Sequence, residues 1–307
     1  MKIAVVGAGG VGGYFGGRLA QADHDVHLMA RGPHLATIQR EGLRVRSVKG
    51  GFTADVRATD HPAEIGPCDV VLFCVKSYDT DEAAARLGPL LTEETAVVSL
   101  QNGVDNEEKI ATVIGPGRVV GGAAFIFSSI VEPGVIAHTG GPASILFGEL
   151  DGNRTARVEK LLAACREAGI DADIPTDIRA VLWTKFAFIC ATAGMTAAVR
   201  LPLGDIRDCT ESWAMFQRLF TEVVALARAE GVPIGDDVVA RQLEFAASLP
   251  PDSYSSLHHD LVTSRRMELD ALHGTVIRRA ARAGVPVPAS DAIYAILRPW
   301  ELRNEPR

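Results

Sequence analysis

Cysteine is scarce and unpatterned in this chain of 307 residues: there are five, Cys68, Cys74, Cys165, Cys190 and Cys209, an odd number with no C-x-x-C pair. A disulfide scaffold and a zinc site are thereby disfavoured, and a reducing compartment fits best. Basic clusters are missing as well. The net charge is −7 and no patch of lysine and arginine stands out, so the footprint of a nucleic-acid binder is absent. The longest uncharged apolar run, Phe186 to Val199, is too short to span a bilayer and reads as a core helix. The N-terminus enters a strand at once, without the layout of a signal peptide. These absences give the expectation of a cytoplasmic protein with no nucleic-acid partner, no membrane partner and no metal. Internal repeats and low-complexity segments do not occur.

What is there begins with the first twenty residues. Lys2 to Val6 is an apolar, partly β-branched run that ends on glycine, the pattern of a short buried parallel strand. Gly7, Gly9 and Gly12 follow at G-x-G-x-x-G spacing, and a helical pattern follows them. Each glycine has a task in a dinucleotide site: a tight turn, close approach of backbone to a pyrophosphate, and close packing of helix on strand. The helix N-terminus adds unpaired N–H groups and the positive end of a dipole. Gly7, Ala8, Gly9, Gly10, Val11 and Gly12 are therefore the candidate cofactor loop. The bland alternative is a flexible glycine turn; its place between strand and helix argues against that.

Asp25 to Arg31 predicts the second parallel strand. Dinucleotide folds that prefer NAD usually carry an acid near its end, for the ribose 2′-hydroxyl. Here Arg31 stands instead, which suits the additional phosphate of NADP; otherwise it is a solvated arginine opening the loop before Gly32-Pro33. Leu43 to Ala58, around Gly50-Gly51, suggests a small antiparallel hairpin at a sheet edge. Asp69 to Val75 and Ala96 to Leu100 are further apolar strands, and Lys76 and Asn102 lie just beyond them. Ligands of open α/β sheets bind beyond the carboxyl ends of strands, so both are candidates to line a cofactor cleft; taken singly, each reads as well as an exposed lysine at a strand end and an Asn-Gly turn.

Val119 to Phe127, Gly134 to His138 and Ser144 to Gly148 predict short strands, with turns at Glu132-Pro133-Gly134 and Gly140-Gly141-Pro142. His138 reads as structural. Thr155 to Ala168 predicts a helix, and Asp171 to Pro175 a last strand. From about Asp177 the pattern is helical: Ile178 to Arg200, Trp213 to Glu230, Asp236 to Ala247, Leu257 to Ala283 and Asp291 to Leu302. The expected architecture is an α/β Rossmann-type dinucleotide-binding domain over 1–176, followed by an all-helical second domain over 177–307. Its apolar helices leave room for a homodimer.

Lys185 is the most informative residue of the second half, in Val181-Leu-Trp-Thr-Lys-Phe-Ala-Phe-Ile-Cys190. An unpartnered buried ammonium is costly. Such a lysine either snorkels to the surface or faces a cleft where it meets a ligand or a carboxylate. In a cleft it would stabilise the negative charge that hydride transfer leaves on a ketone oxygen and would deliver the proton. Ser255, Ser256 and Glu268 form a second polar group, with a solvated helix face as the default for Glu268. Neighbouring helical residues point apart, so His258-His259-Asp260 is no metal site.

The glycine fingerprint, Val75-Lys76, Leu100-Gln-Asn-Gly103, Pro133-Gly134 with His138-Thr-Gly140, Leu182-Trp-Thr-Lys185, and Ser255-Ser256 with Glu268 recur here in one order. In that order they make the chain resemble the ketopantoate reductase (2-dehydropantoate 2-reductase) family. The resemblance implies NADPH/NADP⁺ and a 2-oxo acid held between a Rossmann domain and a helical one. It implies that Arg31 and Lys76 hold the 2′-phosphate side and that Asn102 lies near nicotinamide and substrate. Lys185 would be the proton donor and would contact substrate; Ser256 would take its carboxylate. Glu268 would order the cofactor, the substrate hydroxyl or Lys185. The implied reaction takes 2-dehydropantoate to (R)-pantoate, toward pantothenate and coenzyme A. The chain departs from the pattern at Ile189 and Ala193, where members carry substrate-binding asparagines four and eight residues after the lysine; a third is lost near Leu203. A pocket without those amides discriminates a hydroxyl poorly. That leaves open a reductase of another 2-oxo acid or carbonyl compound, and an NADPH-holding sensor without turnover.

Overall fold

The computed structural model describes residues 1–305, in two compact units: Met1–Gln101 with Asn106–Ile178, and Asn102–Asp105 with the chain from Arg179 onward. The four residues Asn102–Asp105 thus belong with the helical unit, whereas the sequence put them inside 1–176.

In the first unit β1 (Lys2–Val6) leads to α1 (Gly10–Gln21), β2 (Asp25–Met29), α2 (Gly32–Glu41), β3 (Leu43–Ser47), β4 (Phe52–Ala54) and β5 (Arg57–Thr59). Then come α3 (Pro62–Ile65), β6 (Val70–Phe73), α4 (Thr80–Ala85), β7 (Ala96–Ser99) and α5 (Asn106–Ile114). The unit ends with β8 (Val119–Glu132), β9 (Val135–Glu149), α6 (Ala156–Glu167) and β10 (Asp171–Asp173). All ten strands form one sheet, in the order β4-β3-β9-β8-β7-β6-β1-β2-β5, with β10 also paired to β9. Within it β5-β2-β1-β6-β7-β8 are mutually parallel and repeat the doubly wound order of dinucleotide-binding domains.

Burial on both faces explains why the central strands are apolar without interruption. Ile3, Val5, Val70 and Leu72 point into one core with Phe15 and Leu19 of α1 and Leu161 of α6. Ala4, Val6, Val71 and Phe73 point into the other, with Ile65, Ala84 and Ile110 of α3, α4 and α5. Two glycines set how closely α1 meets the sheet. Gly7 has φ +98°, and a Cβ there would lie 2.8 Å from the Val75 nitrogen. A Cβ on Gly12 would lie 2.3 Å from the Gly7 oxygen.

The edges correct the sequence reading. The predicted hairpin is β3 and β4, but β5 leaves it and pairs with β2 at the opposite edge. The predicted short strands after Val119 are two long ones, β8 and β9. Glu132-Pro133-Gly134 turns between them as expected. Gly140-Gly141-Pro142 does not turn: β9 runs through it, with positive φ at Gly141 and Ala143 and a register shift in the pairing with β8.

The second unit holds α7 (Ile178–Val199), α8 (Leu203–Asp208), α9 (Thr210–Ala229), α10 (Val238–Ser248), α11 (Ser256–Val262), α12 (Thr275–Ala283) and α13 (Pro288–Asn304). By length and composition α7 could cross a membrane, but 61% of its most apolar window is buried within the protein, as a core helix requires. Phe216, Leu219, Phe220 and Val223 of α9 are fully buried. Glu222 of α9 accepts from the Ala289 and Ser290 N–H groups at 2.7 and 2.9 Å, a carboxylate at the N-terminus of α13. The helix predicted over Leu257 to Ala283 is broken: α11 stops at Val262, Ser264 takes φ +53°, and a π-helical turn, Asp270–Gly274, precedes α12.

The contact between α1 and β1 gives a direct test. Gly12→Ala should lower unfolding stability by about 2 kcal/mol, because the new methyl meets backbone rather than a movable side chain. Denaturant titration measures it; an unchanged midpoint would contradict the packing.

Candidate active site

Parallel strands bring their carboxyl ends to one edge, and four of them deliver the residues singled out above. Beyond β1 lies the Gly7–Gly12 loop, beyond β2 Arg31, beyond β6 Lys76, and beyond β7 Gln101 and Asn102. The strand order reverses between β1 and β6, the switch point at which such sheets hold ligands. Gln101 is buried and donates to the Val75 carbonyl at 3.0 Å and to Thr80 Oγ1 at 2.8 Å. It thereby fixes the two strand ends from which Lys76 and Asn102 emerge.

The loop suits an anion. A Cβ on Gly9 would meet nothing within 4 Å, so backbone there is open to approach. The first turn of α1 carries no acidic residue to oppose a phosphate. Arg31 is 58% exposed and only 3.7 Å from Glu82 of α4, a weak pair that leaves the guanidinium available. Lys76 is exposed. His138, buried, bonds Ser47 Oγ at 2.8 Å and the Gly140 carbonyl at 2.9 Å, a structural link inside the sheet.

In the helical unit three of the predicted residues meet. Asn102, Ser256 and Glu268 line a small cavity together with Ile189, Leu257, Asp260 and Leu272. Its water-accessible volume is about 10 Å³, room for about one water molecule. Ser256 and Asp260 stand one turn apart on α11, so both reach the same side. The start of α11 is tied to α7: Ser255 accepts from the His258 N–H at 3.1 Å and shares a 2.7 Å hydrogen bond with Thr196. Lys185 is half-buried on α7 and is not a lining residue. Ile189 and Ala193 follow it one and two turns on, in one stripe.

Glu268 does not stand on a helix face, as the sequence suggested. It closes the irregular stretch after α11, and its carbonyl accepts from the Leu272 N–H at 3.1 Å, where the chain winds into the π turn. Such turns cluster at functional sites. This one is anchored by His273, fully buried, whose Nε2 lies 3.1 Å from the Cys190 carbonyl of α7. The absent side chain of Gly194 makes the room: a Cβ there would lie 2.7 Å from that nitrogen. Burial pushes the His273 pKa down to about 4. Of this region, Asp260 enters the sequence reading only within the rejected metal trio, and His273 does not enter it. Asp260 could have been found by its i+4 spacing from Ser256, but His273 has no such signal.

A doubly wound sheet with a glycine loop at its switch point, followed by helices whose polar residues converge on one cavity, defines an oxidoreductase of the NAD(P)(H)-binding class. Comparison with known proteins narrows the class. Residues 3–152 match the ketopantoate reductase PanE/ApbA family and residues 177–301 its C-terminal region. The chain belongs to this PanE/ApbA family of ketopantoate reductases. It is 32% identical over 301 residues to a 2-dehydropantoate 2-reductase of Halobacterium salinarum, covering 97% of this chain and 98% of that one. It is 31% identical over 301 residues to the uncharacterized oxidoreductase YkpB of Bacillus subtilis, covering 98% and 99%. The crystal structure of a PanE/ApbA family ketopantoate reductase from Ralstonia eutropha superposes with a TM-score of 0.91 at 34% identity, covering 99% of each chain. Oxidoreduction of a 2-oxo acid is the chemistry of the family.

The buried imidazole makes stability depend on acid. The folded pKa of His273 lies below its ordinary 6.5, so the unfolded chain binds the extra proton first as pH falls. Its contribution is complete above pH 6.5 and is lost toward about 4, amounting to about 3 kcal/mol. His27, His34 and His258, also lowered mainly by burial, add to the same slope. His273→Gln keeps a donor for Cys190 but cannot take the proton. Unfolding free energies between pH 7.5 and 4.5 should therefore fall less steeply in the variant; equal slopes would remove His273 as a cause.

Proposed function

We propose that the protein is an NADPH-dependent reductase that converts 2-dehydropantoate to (R)-pantoate, on a cytoplasmic route toward pantothenate. The observation that carries this reading is the convergence of Asn102, Ser256 and Glu268 on one cavity, one turn along α7 from the only lysine of that helix. Relatives bearing the name 2-dehydropantoate 2-reductase support the choice of substrate.

The nicotinamide cofactor, when bound, supplies a hydride to the 2-oxo carbon. The chain supplies the rest. Backbone N–H groups of the Gly7–Gly12 loop and the N-terminus of α1 hold the pyrophosphate, and Arg31 and Lys76 grip the 2′-phosphate. The Ser256 hydroxyl binds the substrate carboxylate, and the Asn102 amide orients the group to be reduced. As the carbon–oxygen π bond opens, negative charge gathers on oxygen. The Lys185 ammonium stabilises that charge and gives its proton to the oxygen, leaving a neutral amine that solvent reprotonates. Glu268 keeps the ammonium or the substrate hydroxyl in place.

Ile189 favours a second reading. It contributes an apolar wall, with Leu257 and Leu272, to the cavity that holds Ser256. A 2-oxo acid with a plain hydrocarbon side chain fits such a wall better than one with a hydroxyl. Values of kcat/KM over a panel of 2-oxo acids decide between them, and 2-dehydropantoate should lead.

With that substrate, Lys185→Ala should lower kcat roughly a hundredfold while leaving NADPH binding intact. Unchanged turnover would take Lys185 out of the mechanism. Arg31→Ala should weaken NADPH at least about tenfold and leave NADH nearly untouched, as expected from the loss of a charged hydrogen bond. Equal losses in a binding titration would contradict its role at the 2′-phosphate.

A further inference from the structure

His34 lies on the first turn of α2, three residues after Arg31, and both of its ring nitrogens face backbone from other parts of the first unit. Nε2 is 2.9 Å from the carbonyl oxygen of Ala8. The Gly134 N–H, in the turn between β8 and β9, donates to Nδ1 at 2.9 Å. A backbone amide can only donate. Nδ1 is therefore the bare acceptor, Nε2 carries the hydrogen, and the ring is the neutral tautomer donating to Ala8. Burial, which holds the His34 pKa below its ordinary value, agrees with this charge state.

Ala8 is the second residue of the cofactor loop, and its own N–H is tied to the Met29 carbonyl at 3.0 Å. The peptide group joining Ala8 to Gly9 is planar and trans, so its carbonyl and its N–H point in opposite directions. Whatever holds the Ala8 oxygen also sets where the Gly9 N–H points. Gly9 brings no side chain to resist rotation of that plane, and the space beside it is open. The plane depends on a hold from outside the loop.

We propose that His34 is a positioning residue for the cofactor loop: its ring clamps the Ala8 carbonyl to the β8–β9 turn and keeps the Gly9 amide turned to the pyrophosphate of a dinucleotide. The inference rests on the loop being the cofactor site. It carries a signature of its own, because the pyrophosphate is common to NADPH and NADH and the clamp has no preference between them.

The test is a fluorescence titration of the full-length protein with each cofactor. His34→Leu removes both hydrogen bonds and should weaken NADPH and NADH by the same factor, about tenfold. His34→Gln offers one donor and one acceptor and should recover most of that affinity. At saturating NADPH, kcat and the KM for the 2-oxo acid should stay within about twofold. Should His34→Leu not fold, His34→Asn, too short to span both partners, carries the same expectation. Unchanged affinity in the Leu or Asn variant, a loss confined to NADPH, or a Gln variant no better than the Leu variant would each overturn the proposal. A wild-type protein that binds neither cofactor would instead overturn the reading of the loop itself.

Discussion

The approach of α1 to β1 is the constraint on which the first unit turns. Helix and strand come so close that a methyl group on Gly12 would sit inside van der Waals range of the Gly7 oxygen. That closeness aims the first turn of α1 past the end of β1, beside the ends of β2 and β6. A wider spacing would need a bulkier layer between helix and sheet and would turn the free N–H groups away from the switch point. Two apolar cores, one on either side of the sheet, pack its strands from both faces.

The helical unit meets a different problem, since its central helix is greasy on nearly every face and must still carry polar groups to one place. It does so through side chains that bond backbone and one another. The π turn after Glu268 widens the helix locally, and His273 pins it to the Cys190 carbonyl through the gap left by Gly194. Ser255 caps α11 and bonds Thr196, which itself donates back to the Thr192 carbonyl. Neither His273 nor Thr196 lines the cavity, yet both set the elements whose residues do.

The parts of this fold that were legible in the sequence are those where one local pattern has one structural meaning. Continuous apolar runs gave β1, β6 and β7, and glycine spacing gave the loop. The long apolar stretch around Lys185 gave α7. Reading failed where a local signal has two meanings. Gly140-Gly141-Pro142 resembles a turn, and in a long strand the same residues make a bulge. The break after α11 falls at Ser264, without glycine or proline to announce it, so the local pattern at Glu268 is that of a continuing helix face. His34 was invisible for another reason: its partners are backbone groups 26 and 100 residues away, and no side-chain pattern records them.

The chain passes between its two units three times, at Gln101–Asn102, at Asp105–Asn106 and at Ile178–Arg179. A segment of four residues is thus lent by the α/β half to the helical half, and with it goes Asn102. The halves are consequently not interchangeable parts. A helical half transplanted from a relative would find its amide already chosen by the recipient, so Asn102 and the wall formed by Ile189, Ser256 and Glu268 have to change together or not at all.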